Sequence, residues 1–326
     1  EEGITSFKVF MAYKNQFQAD DETLFKTLVT AKELGALVMV HAENGDVIDY
    51  LVKKALEEGN TEPIFHALTR PPEAEGEATG RAATLTGLAD SQLYVVHVSC
   101  EDAAKRIAEA RAKGIDIWGE TCPQYLVLDQ SYLEKPDFEG AKYVWSPPLR
   151  EKWNQESLWN ALKSGQLQTI GSDQCSFDFN GQKDLGKSDF SKIPNGGPLI
   201  EDRVSLLYSE GVEKGRISLN QFVDLVSTKA AKLFGLYPKK GTIAVGADAD
   251  LVLFDPNKER VLSAKTHHYN PFEGMKVKGE PVTVLSRGDY IIKDKEFVAE
   301  PGRGQYIKRA NYNEALVQKE DAVPSN

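Results

Sequence analysis

Short apolar, β-branched runs alternate with helical stretches along the first 235 residues, and that alternation constrains the fold more than any other feature. Ser6 to Ala12 (Ser-Phe-Lys-Val-Phe-Met-Ala) reads as a buried strand. Asp20-Asp21-Glu22-Thr23 opens a helix whose acidic first turn suits the helix dipole; it runs to about Leu34 and closes at Gly35. Ala36 to Val40 has the uninterrupted apolar character of a strand covered on both faces. Helical spacing follows over 46–58 and 73–89, then a strand over Leu93–Val96 and a helix over about 101–113 ending at Gly114. Ile115–Glu120 and Tyr143–Ser146 read as strands, 151–164 as a helix, and Leu167–Ile170 as a short strand. Strands and helices repeating every 30–40 residues predict βαβ units and a parallel sheet. A TIM-type (β/α)8 barrel spends about 31 residues per unit. Four or five units can be counted, so the expected fold is the C-terminal portion of such a barrel over residues 1–235, with roughly three strands expected upstream of Glu1.

Beyond Gly235 the pattern changes. Thr242 to Asp255 reads as strand, tight turn and strand, and Val282–Leu285 and Tyr290–Ile292 add short β segments between Gly and Asp turns. Residues 236–302 are therefore predicted to form a small β-sandwich domain, and 303–326 a polar tail. The 326 residues are 41% hydrophobic and 27% charged, which argues against disorder. No apolar run approaches the length of a membrane span. A net charge of −10 without a basic cluster argues against nucleic acid or an anionic membrane as partner. Three cysteines without a C-x-x-C pair, and no signal-peptide pattern, predict a reducing, cytoplasmic setting.

Four strand positions carry side chains that strands rarely need. Lys8 sits inside an apolar strand, His41 ends Leu-Val-Met-Val-His, His97 ends Leu-Tyr-Val-Val-His, and Asp173 ends Thr-Ile-Gly-Ser-Asp. In a parallel barrel the carboxyl ends of the strands share one mouth, where two imidazoles and a carboxylate are natural ligands for zinc or a similar ion. Plainer readings stay open: hydrogen-bonded core histidines, a lysine snorkelling to the mouth, and an aspartate capping a helix. His66, between Pro63 and Pro71, is given no role, His267-His268 is read as a turn, and the cysteines as small buried hydrophobes.

The ordered set of segments is distinctive: Ser6-Phe7-Lys8-Val9-Phe10-Met11-Ala12-Tyr13, Val40-His41-Ala42-Glu43-Asn44, Val96-His97-Val98-Ser99, Tyr143-Val144-Trp145-Ser146-Pro147-Pro148-Leu149-Arg150, Gly171-Ser172-Asp173-Gln174-Cys175, Pro194-Asn195-Gly196-Gly197 and Lys240 to Asp250. Together these segments resemble the D-hydantoinase/dihydropyrimidinase group of cyclic amidohydrolases. The resemblance implies hydrolysis of the ring amide of 5-substituted hydantoins or dihydropyrimidines by a hydroxide that bridges two divalent metal ions, usually zinc. Lys8 matches the lysine that carbon dioxide carboxylates to an N6-carboxylysine bridging both ions. His41 and His97 match ligands of one ion. Asp173 matches a ligand of the other and the proton-transfer residue. Tyr13 matches the oxyanion-stabilising phenol, a contact typically worth about 3–4 kcal/mol. Ser146 and Asn195 match positions whose backbone groups hold the substrate, and Phe10 and Phe17 the hydrophobic pocket.

The resemblance also implies a homotetramer, with the polar tail from about Gly302, including the run Gln318-Lys319-Glu320-Asp321, reaching a neighbouring subunit. Two departures stand out. The chain has no H-x-H pair, which the family carries on its first barrel strand and which is expected upstream of Glu1. His268 also runs directly into Tyr269, where the family has a few intervening residues. The alternatives are allantoinase or dihydroorotase chemistry on the same scaffold, or a non-catalytic dihydropyrimidinase-like assembly protein. Retention of Lys8, His41, His97 and Asp173 together argues against the last.

Overall fold

The computed structural model describes residues 2–265 and 267–312. Its first 170 residues build five parallel strands: β1 (Ser6–Phe10), β2 (Leu37–His41), β3 (Gln92–Val95), β4 (Asp116–Thr121) and β5 (Thr169–Ile170), hydrogen-bonded in that order. The intervening helices are α1 (Asp21–Leu34), α2 (Gly45–Glu57), α3 (Ile64–Leu68), α4 (Pro72–Ala89), α5 (Glu101–Ala112), α6 (Pro123–Val127) and α7 (Trp153–Lys163). Helix α1 starts where the Asp20 side chain accepts from the Thr23 N–H and stops at Gly35 in the left-handed conformation, φ 64°. Strand order equals chain order, so the crossovers all step the same way. Helices α1, α4, α5 and α7 accordingly lie side by side over one face of the sheet.

The two faces of the sheet differ in kind. Val38 and Val40 of β2, Leu93 and Val95 of β3 and Ile117 of β4 belong to the large core under the helices, together with Leu24 and Leu28 of α1. Leu28 is completely buried, and truncating such a leucine costs about 2–5 kcal/mol. The register places Lys8, Met39, Tyr94 and Trp118 in one row across the opposite face. Phe10 pairs with His41 in a second row, nearer the carboxyl ends. That face therefore mixes charge and ring systems.

The strands do not close into a ring. Among the described residues β1 pairs only with β2 and β5 only with β4, so the structure shows a parallel sheet with two edges where the sequence predicts part of a closed barrel. Edge position also changes Lys8. It is exposed rather than buried, so the cost of burying an ammonium does not apply to it here. Tyr143–Ser146 is not a strand. Residues 139–143 form a 3-10 turn, and Pro147 and Pro148 lack the N–H groups that a ladder requires.

A second, antiparallel sheet follows: β6 (Leu251–Val261), β7 (Lys276–Ser286), β8 (Asp289–Lys293) and β9 (Glu296–Phe297), in that order. The expected strand over 242–250 is a loop instead. Lys239 and Lys240 pair with Asp248, and Lys240 also with Asp250, while Ile243 and Val245 are fully exposed. The sheet meets the rest of the chain through Tyr208 against Phe254, ring centroids 4.7 Å apart, and through Arg260 paired with Asp202 at 2.7 Å.

The segment after 302 is not a free tail as far as it is described. Tyr306 donates to the Glu2 carbonyl, Arg309 to Ser6, and the buried Tyr312 hydroxyl to Asp116. The run Gln318-Lys319-Glu320-Asp321 lies outside the described residues.

Candidate active site

The carboxyl ends of β1 to β5 carry the residues singled out from the sequence, and the fold brings them to one mouth. His41, the last residue of β2, and His97, just past β3, are both buried, with Nδ1 of His41 2.9 Å from Nε2 of His97. The Nε2 of His41 lies 2.7 Å from a Glu43 carboxylate oxygen. A carboxylate only accepts, so Nε2 carries a proton, and in the neutral ring Nδ1 presents its lone pair. His97 Nε2–H then donates to that lone pair, and its own Nδ1 is a buried atom without a partner.

Burial drives His97 well below the usual imidazole range, with the charges of His41 and Lys8 adding to the effect. Burial acts to raise the Glu43 carboxyl, but the hydrogen bond from His41 and the charges of His41, Arg70 and Arg150 outweigh it and bring it below the usual range.

Lys8 stands on the same face, its Nζ 4.9 Å from the centroid of Phe10. Asp173 lies just past β5 within the fields of Lys8 and His41; burial raises its carboxyl and those two charges oppose the rise. Phe10 and Tyr13 flank His41, and Phe17 packs on both of them. The Tyr13 and Phe10 rings lie 5.3 and 5.6 Å from the imidazole, and Phe17 is 5.9 Å from Phe10. Phe17 forms the rim, being 66% exposed. The Tyr13 phenol bonds with the side chains of Ser146 and Asn195, and Asn195 Nδ2 donates to Ser146 Oγ at 3.1 Å. Burial, helped by the Glu43 charge, raises the Tyr13 pKa, so the phenol stays protonated and able to donate. All nine predicted residues therefore meet.

Three of them are held in the left-handed region: Tyr13 at φ 65°, His97 at φ 44° and Asp173 at φ 51°. Such a conformation costs a non-glycine residue about 1–2 kcal/mol and persists where the surroundings impose it. At His97 the restraint is visible. Its N–H donates to Glu120 Oε1 at 3.3 Å, and Glu120 Oε2 accepts from the Tyr94 hydroxyl at 3.0 Å.

Several supporting residues escaped the sequence reading. Glu43 was detectable in principle, as an acidic residue two positions after a strand-ending histidine. Arg150 and Glu75 form a buried ion pair at 2.7 Å that also engages Ser99, two residues past His97. Their separation of 75 residues leaves no local signal. His66 is buried in α3, not in a loop. Cys175 is exposed, unlike Cys100 and Cys122; Gly196 approaches its backbone so closely, at φ 153°, that a Cβ there would sit 2.1 Å from the Cys175 carbonyl oxygen.

The donor set suits a metal ion. Zinc–nitrogen bonds of about 2.0–2.1 Å at a tetrahedral angle separate two nitrogens by about 3.3 Å, close to the spacing of the His41 and His97 nitrogens. Glu43 stands where a carboxylate would fix the tautomer of a ligand imidazole. Among the described residues no three His, Cys, Asp or Glu side chains converge to cage an ion by themselves. No helix among them is long and apolar enough to cross a membrane.

Comparison with known proteins agrees with this picture. The model of the amidohydrolase family matches residues 5–291. A D-hydantoinase of Geobacillus stearothermophilus is 77% identical over 99% of this chain, which spans 69% of that protein. A crystal structure of a D-hydantoinase superposes with a TM-score of 0.94 at 78% identity, covering 96% of this chain and 69% of the other. A dihydropyrimidinase structure from Brevibacillus agri gives a TM-score of 0.94 at 71% identity, over 95% of this chain and 68% of the other. The chain belongs to the amidohydrolase family, alongside its D-hydantoinases and dihydropyrimidinases.

Proposed function

We propose that this chain hydrolyses the ring amide of 5-substituted hydantoins or dihydropyrimidines. The observation that carries the reading is the convergence of the His41–His97 pair, Lys8, Asp173 and the Tyr13 phenol on one mouth. In this reading the five parallel strands are an arc of a (β/α)8 barrel, 236–302 is the accompanying β domain, and the enzyme is a cytoplasmic homotetramer.

His41 Nδ1 and His97 Nε2 would hold one divalent ion, zinc by the nature of the donors. Lys8, once carboxylated by carbon dioxide, would supply the oxygen donor that the cluster lacks. Asp173 would serve a second ion. When bound, the two cations supply Lewis acidity toward the ring carbonyl and an activated water.

The chain's own groups do the rest. Glu43 accepts from His41 Nε2 and keeps its Nδ1 lone pair available. Phe10 and Phe17 exclude water from the side of the ring that carries the substituent. The Tyr13 phenol donates to the carbonyl oxygen as negative charge grows there. Asp173 takes a proton from the attacking water and returns it to the leaving nitrogen. The Ser146 and Asn195 backbone groups hold the remaining ring amide.

The test is turnover of hydantoin and dihydrouracil by the metal-loaded enzyme, alongside Lys8→Ala. The variant is expected to lose metal and activity together, with partial return when a short carboxylic acid supplies the missing oxygens. Full metal content and normal turnover in Lys8→Ala would remove the carboxylated lysine from the mechanism. Hydrolysis of allantoin or of dihydroorotate in place of hydantoin and dihydrouracil would favour the allantoinase or dihydroorotase alternative.

A further inference from the structure

Ser146 and Asn195 sit on loops, so nothing in a helix or ladder fixes where their N–H groups point. Among the described residues neither N–H donates to a protein acceptor. Their direction is set one atom earlier. In a trans peptide the C=O and the following N–H point opposite ways, and both the Trp145–Ser146 and Pro194–Asn195 peptides are trans. Whatever grips the carbonyl of residue 145 or 194 therefore aims the amide of residue 146 or 195.

Each carbonyl is gripped by a buried basic side chain. His66 Nε2–H donates to the Trp145 carbonyl at 2.8 Å, from a ring only 1% exposed. Lys183 Nζ donates to the Pro194 carbonyl at 3.0 Å and to the Val144 carbonyl at 2.9 Å, from a side chain with no exposure at all. The Val144 carbonyl also accepts from the Gly196 N–H at 3.0 Å, so Lys183 joins the two loops at their bases.

We propose that His66 and Lys183 are paired positioning residues that turn the Ser146 and Asn195 N–H groups toward the substrate ring. The proposal rests on the ring-hydrolysis reading above. A lysine buried with two carbonyls and no carboxylate is costly as packing, and a methionine would fill the same space without that cost. What methionine cannot do is orient two peptide planes. Burial brings Lys183 down to about 7, and a neutral amine has two hydrogens for its two carbonyls. His66, driven well below the imidazole range by burial and the Arg70 charge, likewise stays neutral with its proton on Nε2.

The experiment compares His66→Leu, His66→Gln and Lys183→Met in the intact metal-loaded enzyme, reading kcat, KM and thermal melting with dihydrouracil. A ring contact held equally in ground and transition states affects KM rather than kcat. His66→Leu and Lys183→Met should each raise KM about tenfold with kcat within about threefold, the usual cost of one hydrogen bond. His66→Gln, which keeps a donor, should return KM to within about threefold of wild type. A lowered melting temperature with KM unchanged would make both residues packing groups and overturn the proposal, as would equal KM values for His66→Gln and His66→Leu. Should Lys183→Met fail to fold, the two His66 variants decide. A wild-type enzyme that binds metal but opens neither ring overturns the functional reading, and this proposal with it.

Discussion

His41 and His66 are both buried imidazoles, but the fold puts them to different uses. His41 ends a strand, donates to the carboxylate of Glu43 and turns a lone pair into the mouth. His66 sits in a one-turn helix, donates to a backbone carbonyl and turns nothing toward the mouth. The first belongs with groups that can bind an ion. The second, with Lys183, holds the bases of the loops that carry Ser146 and Asn195. Burial is the same in both; place in the fold separates them. His41 stands at a strand end beside His97, whereas His66 stands behind the Trp145 carbonyl.

The largest effect that would test this division lies at Tyr13, where the two sets meet, because its phenol bonds Ser146 and Asn195 while its ring packs on His41. Tyr13→Phe should lower kcat by about 10²–10³ with little change in KM, the usual loss of one oxyanion donor. Steady-state kinetics on dihydrouracil would read it, and an unchanged kcat would move Tyr13 into the loop scaffold.

A smaller effect separates the two histidines directly. Glu43→Gln should weaken metal affinity by about 10–100-fold, because a carboxylate behind a ligand imidazole contributes that much. His66→Leu should leave the affinity within about twofold. Competition with a chelator measures both, and equal losses would erase the distinction.

The smallest effect is a stability slope. Burial holds Lys183 in the folded state at about 7, below its ordinary 10.5, with the Cys175 charge opposing the fall and Lys183 acting in turn on His66. Between those values the unfolded chain keeps a proton that the folded chain has released, so stability rises with pH. Relative to Lys183→Met, the wild type should gain about 1 kcal/mol between pH 6 and pH 8. Denaturant unfolding at the two pH values tests this, and a flat or falling difference contradicts it.

The same contrast explains what could be read in the sequence. His41, His97 and Asp173 stand at the ends of apolar runs, so period and position mark them without any knowledge of contacts. The helices are equally plain: α1 has its capping aspartate and closing glycine, and α4 its proline start. The strand over 143–146 misled because its apolar run outweighed two prolines. Lys183 gives no sign at all. It lies in the polar run Gly181-Gln182-Lys183-Asp184, and its two acceptors are 39 and 11 residues away. Phe17 packs beside Phe10, yet its exposure could not be foreseen from the residue type.

The segment from Tyr306 to Tyr312 bears on how the chain reaches this state. It crosses the end of the sheet opposite the mouth, touching Glu2, Ser6 and Asp116 at sequence separations of 304, 303 and 196 residues. Its track is fitted closely enough that a Cβ on Gly235, at φ 69°, would lie 2.2 Å from the Ala310 carbonyl oxygen. Contacts this distant in sequence form only after the intervening units have condensed, because the entropy of closing so long a loop is lost before any contact offsets it. Whatever holds this segment in place therefore holds β1 and β4 together, across 196 to 304 residues of chain.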